Sequence, residues 1–200
     1  ANVTDMGKMF YNCDGLTRIY IGFGWITENV MSSDDMFYYC NRLVGEDGTK
    51  VRNVTDKTYA YAGLGGYLTL KVAVDAVNFP DEAFRNALIN QWIGSDGMLS
   101  YIEIAVTTSL DLSGQGISDL TGIGYFTALT ELNISNNKIA GEAMDALVAS
   151  LPMITAQEAP RRAGSAIGKL YVLDATASTE QNVITEEQAT NAISIGWQPY

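Results

Sequence analysis

Apolar residues recur along the chain with the spacing LxxLxL, which is typical of a short strand whose side chains enter a stacked core. Two of the copies, around Leu110 and Leu132, are offset by 22 residues. We therefore expect these two leucines to lie side by side in adjacent coils. The four matching sets are Leu16, Ile19 and Ile21; Thr107, Leu110 and Leu112; Leu129, Leu132 and Ile134; and Ile167, Leu170 and Val172.

One copy continues into the longer pattern LxLxxNxL through Asn137 and Ile139. An Asn side chain at this turn can cap backbone groups of neighbouring coils, because it carries both donors and an acceptor. Gln115 takes the Asn position in the preceding copy. The ladder of repeats is therefore predicted to be short and imperfect.

Helical periodicity falls between these strand signals. An apolar stripe predicts a helix over Gly141–Leu151, and the capping box of Thr185 and Gln188 opens another that reaches about Ile193. A further helix is predicted over about Asp81–Trp92. Strands alternating with helices predict an α/β fold, with α+β as the alternative, in the form of a leucine-rich-repeat solenoid.

A second kind of repeat occupies the first part of the chain. The run Met9–Cys13 recurs as Met36–Cys40, at an offset of 27 residues. Cys13 and Cys40 are equivalent in the two copies, so they are expected about 5 Å apart, within disulfide reach. Two free thiols in a core ladder are the favoured alternative, because free Cys is readily buried.

The repeats form two blocks with a boundary near Lys71, giving residues 1–71 and 72–200. The segment Gly45–Gly66 is rich in Gly, Asp, Thr and Tyr and is predicted to be an irregular loop that closes the first block. The segment Gln157–Gly168 is predicted to be an exposed excursion between a helix and a strand.

Charge narrows the classes of partner. The 200 residues include 23 acidic and 12 basic side chains, for a formal net charge of −11. Such a chain repels phosphate backbones and anionic lipids, so nucleic acid and membrane-surface roles are not expected. No stretch approaches the roughly 20 apolar residues of a membrane span, so direct membrane insertion is not expected either.

The first block resembles a known family. Val3–Met6 followed by Met9–Cys13 and Leu16 is similar to the repeat of BspA-like leucine-rich-repeat surface proteins of anaerobic gut and oral bacteria. The ending through Gly66 and Tyr67 resembles the run that terminates such arrays. Residues 78–139 resemble a second type, in which a helical cap precedes the leucine-rich repeats.

This resemblance implies an extracellular or cell-surface location and a role in adhesion or binding. The partner it implies is a host or cell-surface protein or glycan. It brings no catalytic residues and no cofactor. A passive structural spacer within a larger surface protein is the alternative, because a spacer requires no exposed ligand patch.

Candidate chemistry is sparse. The chain has no histidine, which excludes serine-histidine triads and ordinary histidine-containing zinc sites. The paired acids Asp34–Asp35 and Glu186–Glu187 could serve a carboxylate-based hydrolase, but adjacent carboxylates point apart. We therefore expect a non-enzymatic protein.

Residues Asp96–Glu103 match the second half of an EF-hand calcium loop. The first half is missing, because Trp92 and Gly94 fall where oxygen ligands are needed. The pattern favours a metal-free turn over a calcium site formed by Asp96 and Glu103.

Aromatic residues provide the better functional indication, since eleven of them crowd the first 70 positions. Phe10 and Phe37 belong to the repeat and are expected in the core. Exposed tyrosine and tryptophan make good protein or sugar contacts, because one rigid ring combines apolar area with a polar tip. The predicted binding residues are Tyr20, Trp25, Tyr38 and Tyr39.

Overall fold

The computed structural model describes residues 3–154 and 167–200, which form a mixed α/β structure. The chain divides into two compact units. The first contains the residues up to Val72 together with Leu99–Ile102, and the second contains Ala73–Met98 and Glu103–Tyr200. The sequence predicted a boundary near Lys71, but it did not predict that Leu99–Ile102 belong to the first unit. Residues 157–166 of the predicted excursion lie outside the described residues.

In the first unit, the two copies of the 27-residue repeat lie side by side through backbone hydrogen bonds. Alternate amides between Met6 and Asn12 donate to carbonyls between Ser32 and Tyr38, at distances of 2.7 to 2.9 Å. Most of this backbone is turn rather than strand. Strands β1 (Tyr20–Ile21), β2 (Thr69–Ala73) and β3 (Met98–Ser100) form a sheet in that order, and β1 pairs with β2 in parallel.

The core of the first unit is aromatic. Phe10 stacks on Phe37 with ring centroids 5.7 Å apart, and Phe37 meets Tyr67 edge-on. The second copy is better covered than the first, since Met36 is fully buried whereas its equivalent Met9 is 52% exposed. The first copy covers one side of the second, and residues from Thr55 onward cover another, because the Phe37 amide donates to the Thr55 carbonyl.

The second unit contains a four-stranded parallel sheet in sequence order. Its strands are β4 (Ser109–Asp111), β5 (Glu131–Asn133), β6 (Gly168–Tyr171) and β7 (Trp197–Pro199). Leu110 pairs with Leu132, which pairs with Leu170. The predicted alignment of these repeated leucines is confirmed, and all three are buried.

The described helices are α1 (Glu82–Asn90), α2 (Tyr101–Val106), α3 (Glu142–Ser150) and α4 (Glu186–Ser194). The three predicted helices correspond to α1, α3 and α4, with ends that differ by at most two residues. Short 3-10 helices occupy Lys57–Tyr59 and Ile123–Tyr125. No helix within the described ranges is long and apolar enough to span a membrane.

Two buried asparagines connect neighbouring segments of the second unit, where each segment consists of a strand and the loop that follows it and is here called a coil. The Asn137 amide nitrogen donates to the carbonyls of Leu112 and Ile134, both at 2.8 Å, and its oxygen accepts from the Ile117 amide at 2.9 Å. The predicted capping role of Asn137 is confirmed. Gln115 is exposed and donates only to the nearby Ser113 carbonyl, so it does not cap the preceding coil.

Asn182 repeats this arrangement one coil later. Its amide nitrogen donates to the carbonyls of Ile134 and Val172, both at 2.7 Å, and its oxygen accepts from the Ile139 amide at 2.8 Å. The sequence pattern did not identify this residue. Ile167, which the pattern placed in the core, is 53% exposed. The adjacent Gly168 occupies the inward position instead, where a Cβ atom would collide with Ile154 and Trp197.

Candidate binding site

Three exposed tyrosines form a contiguous surface on the first unit, here called the tyrosine stack: Tyr11, Tyr38 and Tyr39. Tyr11 and Tyr38 stack with ring centroids 5.6 Å apart and an interplanar angle of 15°. Tyr38 and Tyr39 are tilted, with centroids 4.2 Å apart. The three residues are 42%, 38% and 52% exposed, respectively. The Lys8 ammonium lies 5.6 Å from the Tyr11 ring centroid, where a cation–π attraction operates.

The repeat itself builds this stack. Tyr11 and Tyr38 occupy equivalent positions in the two copies, and the Asn12 amide donates to the Tyr38 carbonyl at 2.7 Å. This hydrogen bond fixes the register that places one ring over the other. The sequence predicted Tyr38 and Tyr39 as binding residues but omitted Tyr11, although its 27-residue offset from Tyr38 was the available signal.

Tyr39 has an unfavourable backbone conformation. Its φ of 61° is in the left-handed region, and so is the φ of 58° at its repeat equivalent Asn12. Asn tolerates this region far better than Tyr does, because its short side chain bonds the local backbone. The second copy therefore carries an aromatic ring at a position whose geometry favours Asn.

The side chains of Tyr38 and Tyr39 are linked by a hydrogen bond. A hydrogen bond to the Tyr39 side chain, reinforced by the charges of Tyr39 and Asp35, raises the pKa of Tyr38 above its ordinary value. The Tyr38 hydroxyl is accordingly protonated at neutral pH. It remains a neutral group able to donate or accept hydrogen bonds at the surface.

The other two predicted residues lie elsewhere on the first unit. Tyr20, on β1, is 63% exposed. Trp25 is half-buried, and its indole N–H donates to the Ala60 carbonyl at 2.8 Å. It lines a depression of about 200 Å³ together with Phe23, Tyr61 and Tyr101. The sequence predicted Trp25 as an exposed binding residue. Its indole is instead half-buried and hydrogen-bonded within the first unit.

The loop Gly45–Gly66 also helps to form a cleft of about 730 Å³. Sequence reasoning treated this segment only as irregular backbone. The lining residues, here called the basic cleft, are Gly48, Thr49, Lys50, Arg52, Asn53, Val54, Tyr59, Gly65 and Tyr67.

Cys13 and Cys40 are both free thiols, so the possible disulfide is not formed in this structure. The Cys40 Sγ donates to the Phe10 carbonyl at 2.9 Å, which directs the thiol at the backbone of the first copy. Burial raises the pKa of Cys40 and favours this protonated donor. Cys13 is only half-buried, whereas the ladder interpretation placed both thiols in the core.

The calcium-like segment bonds to its own backbone. The Glu103 carboxylate accepts from the Gly94 amide at 2.7 Å, and the Asp96 carboxylate accepts from the Met98 amide at 3.0 Å. The prediction of a turn missed α2, which begins at Tyr101 and includes Glu103. No cluster of three or more metal-binding side chains occurs in residues 3–154 and 167–200.

The paired carboxylates occupy the local settings that the sequence suggested. Glu186 and Glu187 are exposed in the first turn of α4, where negative charge complements the helix dipole. Asp35 lies in a turn with a φ of 57°, next to the exposed Asp34.

A scan against models of known protein families found no match, and a search of curated proteins found none either.

Proposed function

We propose that this chain is a leucine-rich-repeat binding or adhesion module that acts outside the cell or at the cell surface. Its partner is a host or cell-surface protein or glycan. The observation that carries the proposal is the exposed tyrosine stack of the first unit. Contact energy in interfaces concentrates in a few aromatic anchors, and tyrosine provides large rigid area at a low entropic cost.

The backbone geometry of Tyr39 supports a functional role for its ring. A residue kept in an unfavourable conformation costs stability, on the order of 1 kcal/mol or more. The equivalent residue in the first copy is Asn12, so the repeat can place a better-suited side chain here. A binding contact explains why an exposed ring is present at this position, whereas a passive spacer does not require one.

The parallel strands support the solenoid form of the proposal. Leu110, Leu132 and Leu170 lie in register, and the side chains of Asn137 and Asn182 connect adjacent coils. In-register apolar residues and buried polar connections between coils are the features that a stacked repeat architecture requires. The resemblance of residues 1–71 to BspA-like repeats agrees with this interpretation.

Charge distribution favours the first unit as the binding part. Residues 1–72 carry seven Lys and Arg against eight Asp and Glu, whereas residues 73–200 carry five against 15. The first part has a net charge of −1, so it approaches anionic cell-surface material with little repulsion.

The test is surface plasmon resonance with the purified chain over immobilised mucin, fibronectin and collagen. We expect measurable binding to at least one of these surfaces. Tyr38→Ala and Tyr39→Asn should each weaken it at least tenfold, because they remove anchors from the stack. Met31→Ala, which alters a more exposed apolar side chain of the same unit, should leave binding within twofold.

Thermal unfolding of the same variants separates binding from folding. Tyr39→Asn should keep or raise the Tm, because it introduces the residue of the first copy at a left-handed position. Binding to none of the surfaces would overturn the proposal. Equal binding by the native chain and both tyrosine variants would also overturn the role of the stack.

A further inference from the structure

The basic cleft contains two cations that no acidic side chain neutralises. Lys50 and Arg52 are exposed and line the same cleft. Within the described ranges 3–154 and 167–200, neither side chain forms an ion pair. A chain with a net charge of −11 thus leaves two positive groups side by side in one cavity.

Two other cations of the first unit, Arg18 and Lys57, have structural partners. The Arg18 guanidinium donates to the Gly45 carbonyl at 2.9 Å and to the Thr69 hydroxyl at 3.3 Å. The Lys57 ammonium donates to the carbonyls of Thr27 and Val30. These side chains hold the backbone together, whereas Lys50 and Arg52 keep all their donors available for a ligand.

The walls of the cleft are fixed by buried and hydrogen-bonded groups. Tyr67 is 2% exposed, and its hydroxyl accepts from the Arg52 amide at 3.3 Å and donates to the Val54 carbonyl at 3.0 Å. Tyr59 stacks on Tyr67 with centroids 5.0 Å apart. The backbone that carries Arg52 and Asn53 is therefore held against an aromatic floor.

The opposite wall is fixed by Asp47. Its carboxylate accepts from the amides of Thr49 and Gly65, at 2.9 and 2.8 Å. The Asp56 carboxylate likewise accepts from the Thr58 amide at 2.8 Å. Asp47 and Asp56 are thus engaged with backbone N–H groups, as is Glu46, which accepts from the amides of Leu70 and Tyr101, and none of the three lines the cavity.

We infer that the basic cleft binds an acidic sugar, such as a sialic acid or a uronic acid. The Arg52 guanidinium suits a carboxylate, because its parallel N–H groups can bond both oxygens. Lys50 adds a second positive charge, while the Asn53 amide offers donors and an acceptor for sugar hydroxyls. Tyr59 supplies the apolar surface beside them. The volume falls within the range typical of small-molecule sites.

A sugar fits this lining better than an acidic peptide does. The lining combines polar groups, such as those of Lys50 and Arg52, with the apolar surface of Tyr59, and a sugar ring likewise carries both hydroxyls and an apolar face. Anchoring a peptide side chain requires a buried apolar pocket, which these residues do not form. The inference extends beyond the proposed function, because no residue of the tyrosine stack lines the cleft.

The experiment is an NMR titration of the native chain with N-acetylneuraminic acid and with galacturonic acid, using galactose as the neutral comparison. We expect at least one acidic sugar to bind at least tenfold more tightly than galactose. Arg52→Gln and Lys50→Gln should each weaken that binding at least tenfold. Arg42→Gln removes an exposed positive charge elsewhere in the same unit and should change affinity less than twofold.

Three further measurements decide the interpretation. Binding should weaken as sodium chloride rises, because ionic contacts are screened. An unchanged Tm for Arg52→Gln and Lys50→Gln would show that these variants still fold. Tyr38→Ala should leave sugar binding intact, which separates this site from the tyrosine stack.

The inference is overturned by several outcomes. These are no shift with either acidic sugar, equal affinity for galactose, and equal losses in the Arg42 and Arg52 variants. Tighter binding of a hexa-aspartate peptide than of either acidic sugar would also overturn it in favour of an acidic protein ligand.

Discussion

Asn137 shows how much one buried side chain contributes to the second unit. It is 1% exposed and satisfies backbone groups of Leu112, Ile117 and Ile134. Each buried backbone group left without a partner costs about 1–3 kcal/mol. Asn137 therefore stabilises the contact between two coils through these hydrogen bonds, in addition to the burial of its own side chain.

We predict that Asn137→Ala lowers the free energy of unfolding by at least about 2 kcal/mol, because several backbone groups lose their partner at once. Gln115→Ala should change it by less than about 0.5 kcal/mol, since this residue is exposed. Urea denaturation of both variants measures the difference. Similar values for the two would mean that water replaces Asn137 at no cost.

Sequence reasoning at this scale succeeded where spacing was regular. Asn137 follows Ile134 by three residues and fits the repeat, whereas Asn182 follows Val172 by ten. Because a longer loop precedes Asn182, the repeat spacing did not reveal that this residue makes the same hydrogen bonds as Asn137. The left-handed backbone of Tyr39 was equally hidden, because the residue type itself argues against that conformation.

At the scale of elements, Glu180 connects the backbone that follows two adjacent strands. Its carboxylate accepts from the amides of Asn136, Asp174 and Asn182. Burial alone would raise the pKa of Glu180, but these N–H donors outweigh it and hold the pKa below the ordinary value. The charged form is therefore favoured in the folded protein.

This shift makes stability depend on pH in a definite direction. Because the folded pKa is the lower one, the contribution of Glu180 is fully present above the unfolded value of about 4.3. It is lost as the pH falls through the folded value. We predict that Glu180→Gln lowers the Tm at pH 7 and makes the decline in Tm under acid shallower.

Glu28→Gln, which changes an exposed glutamate of the first unit, is the control for this prediction. Thermal unfolding followed by circular dichroism between pH 7 and pH 3 provides the measurement. A Glu180→Gln curve parallel to the native curve throughout would contradict the linkage.

Elements that carry a repeated or capped sequence pattern were predictable, and elements without such a pattern were not. The helices α1 and α4 have capping side chains at Asp81 and Thr185, which add to an apolar stripe. The strand β7 has three residues and contains Pro199, so it shows no alternation. Proline is tolerated there because β7 is the last strand of the sheet in the described structure.

Across the whole molecule, the net negative charge comes almost entirely from residues 73–200. Residues 73–200 carry a net charge of −10 and residues 1–72 a net charge of −1. The total of −11 is the reason to expect no nucleic acid partner for the chain as a whole. It conceals the two unpaired cations of the basic cleft, which is why composition alone gave no indication of an anionic ligand.

The candidate sites differ in how far the sequence could reveal them. Tyr38 and Tyr39 were predicted because they belong to the aromatic residues concentrated in the first 70 positions. The basic cleft was not, because residues 48–67 have no period and meet only through the folded loop. A periodic pattern reveals the scaffold, whereas the ligand-binding loops carried on it remain unpatterned.

The paired asparagines have a consequence for isotope exchange. The amide protons of Ile117 and Ile139 are bonded to the side-chain oxygens of Asn137 and Asn182, each supplied by a later coil. Neither proton can exchange with deuterium until that later coil moves away. If the unit opens first from its C-terminal coil, Ile139 exchanges before Ile117. The ratio of the exchange rates of these two amide protons thus shows the order in which neighbouring coils separate in the unmodified protein.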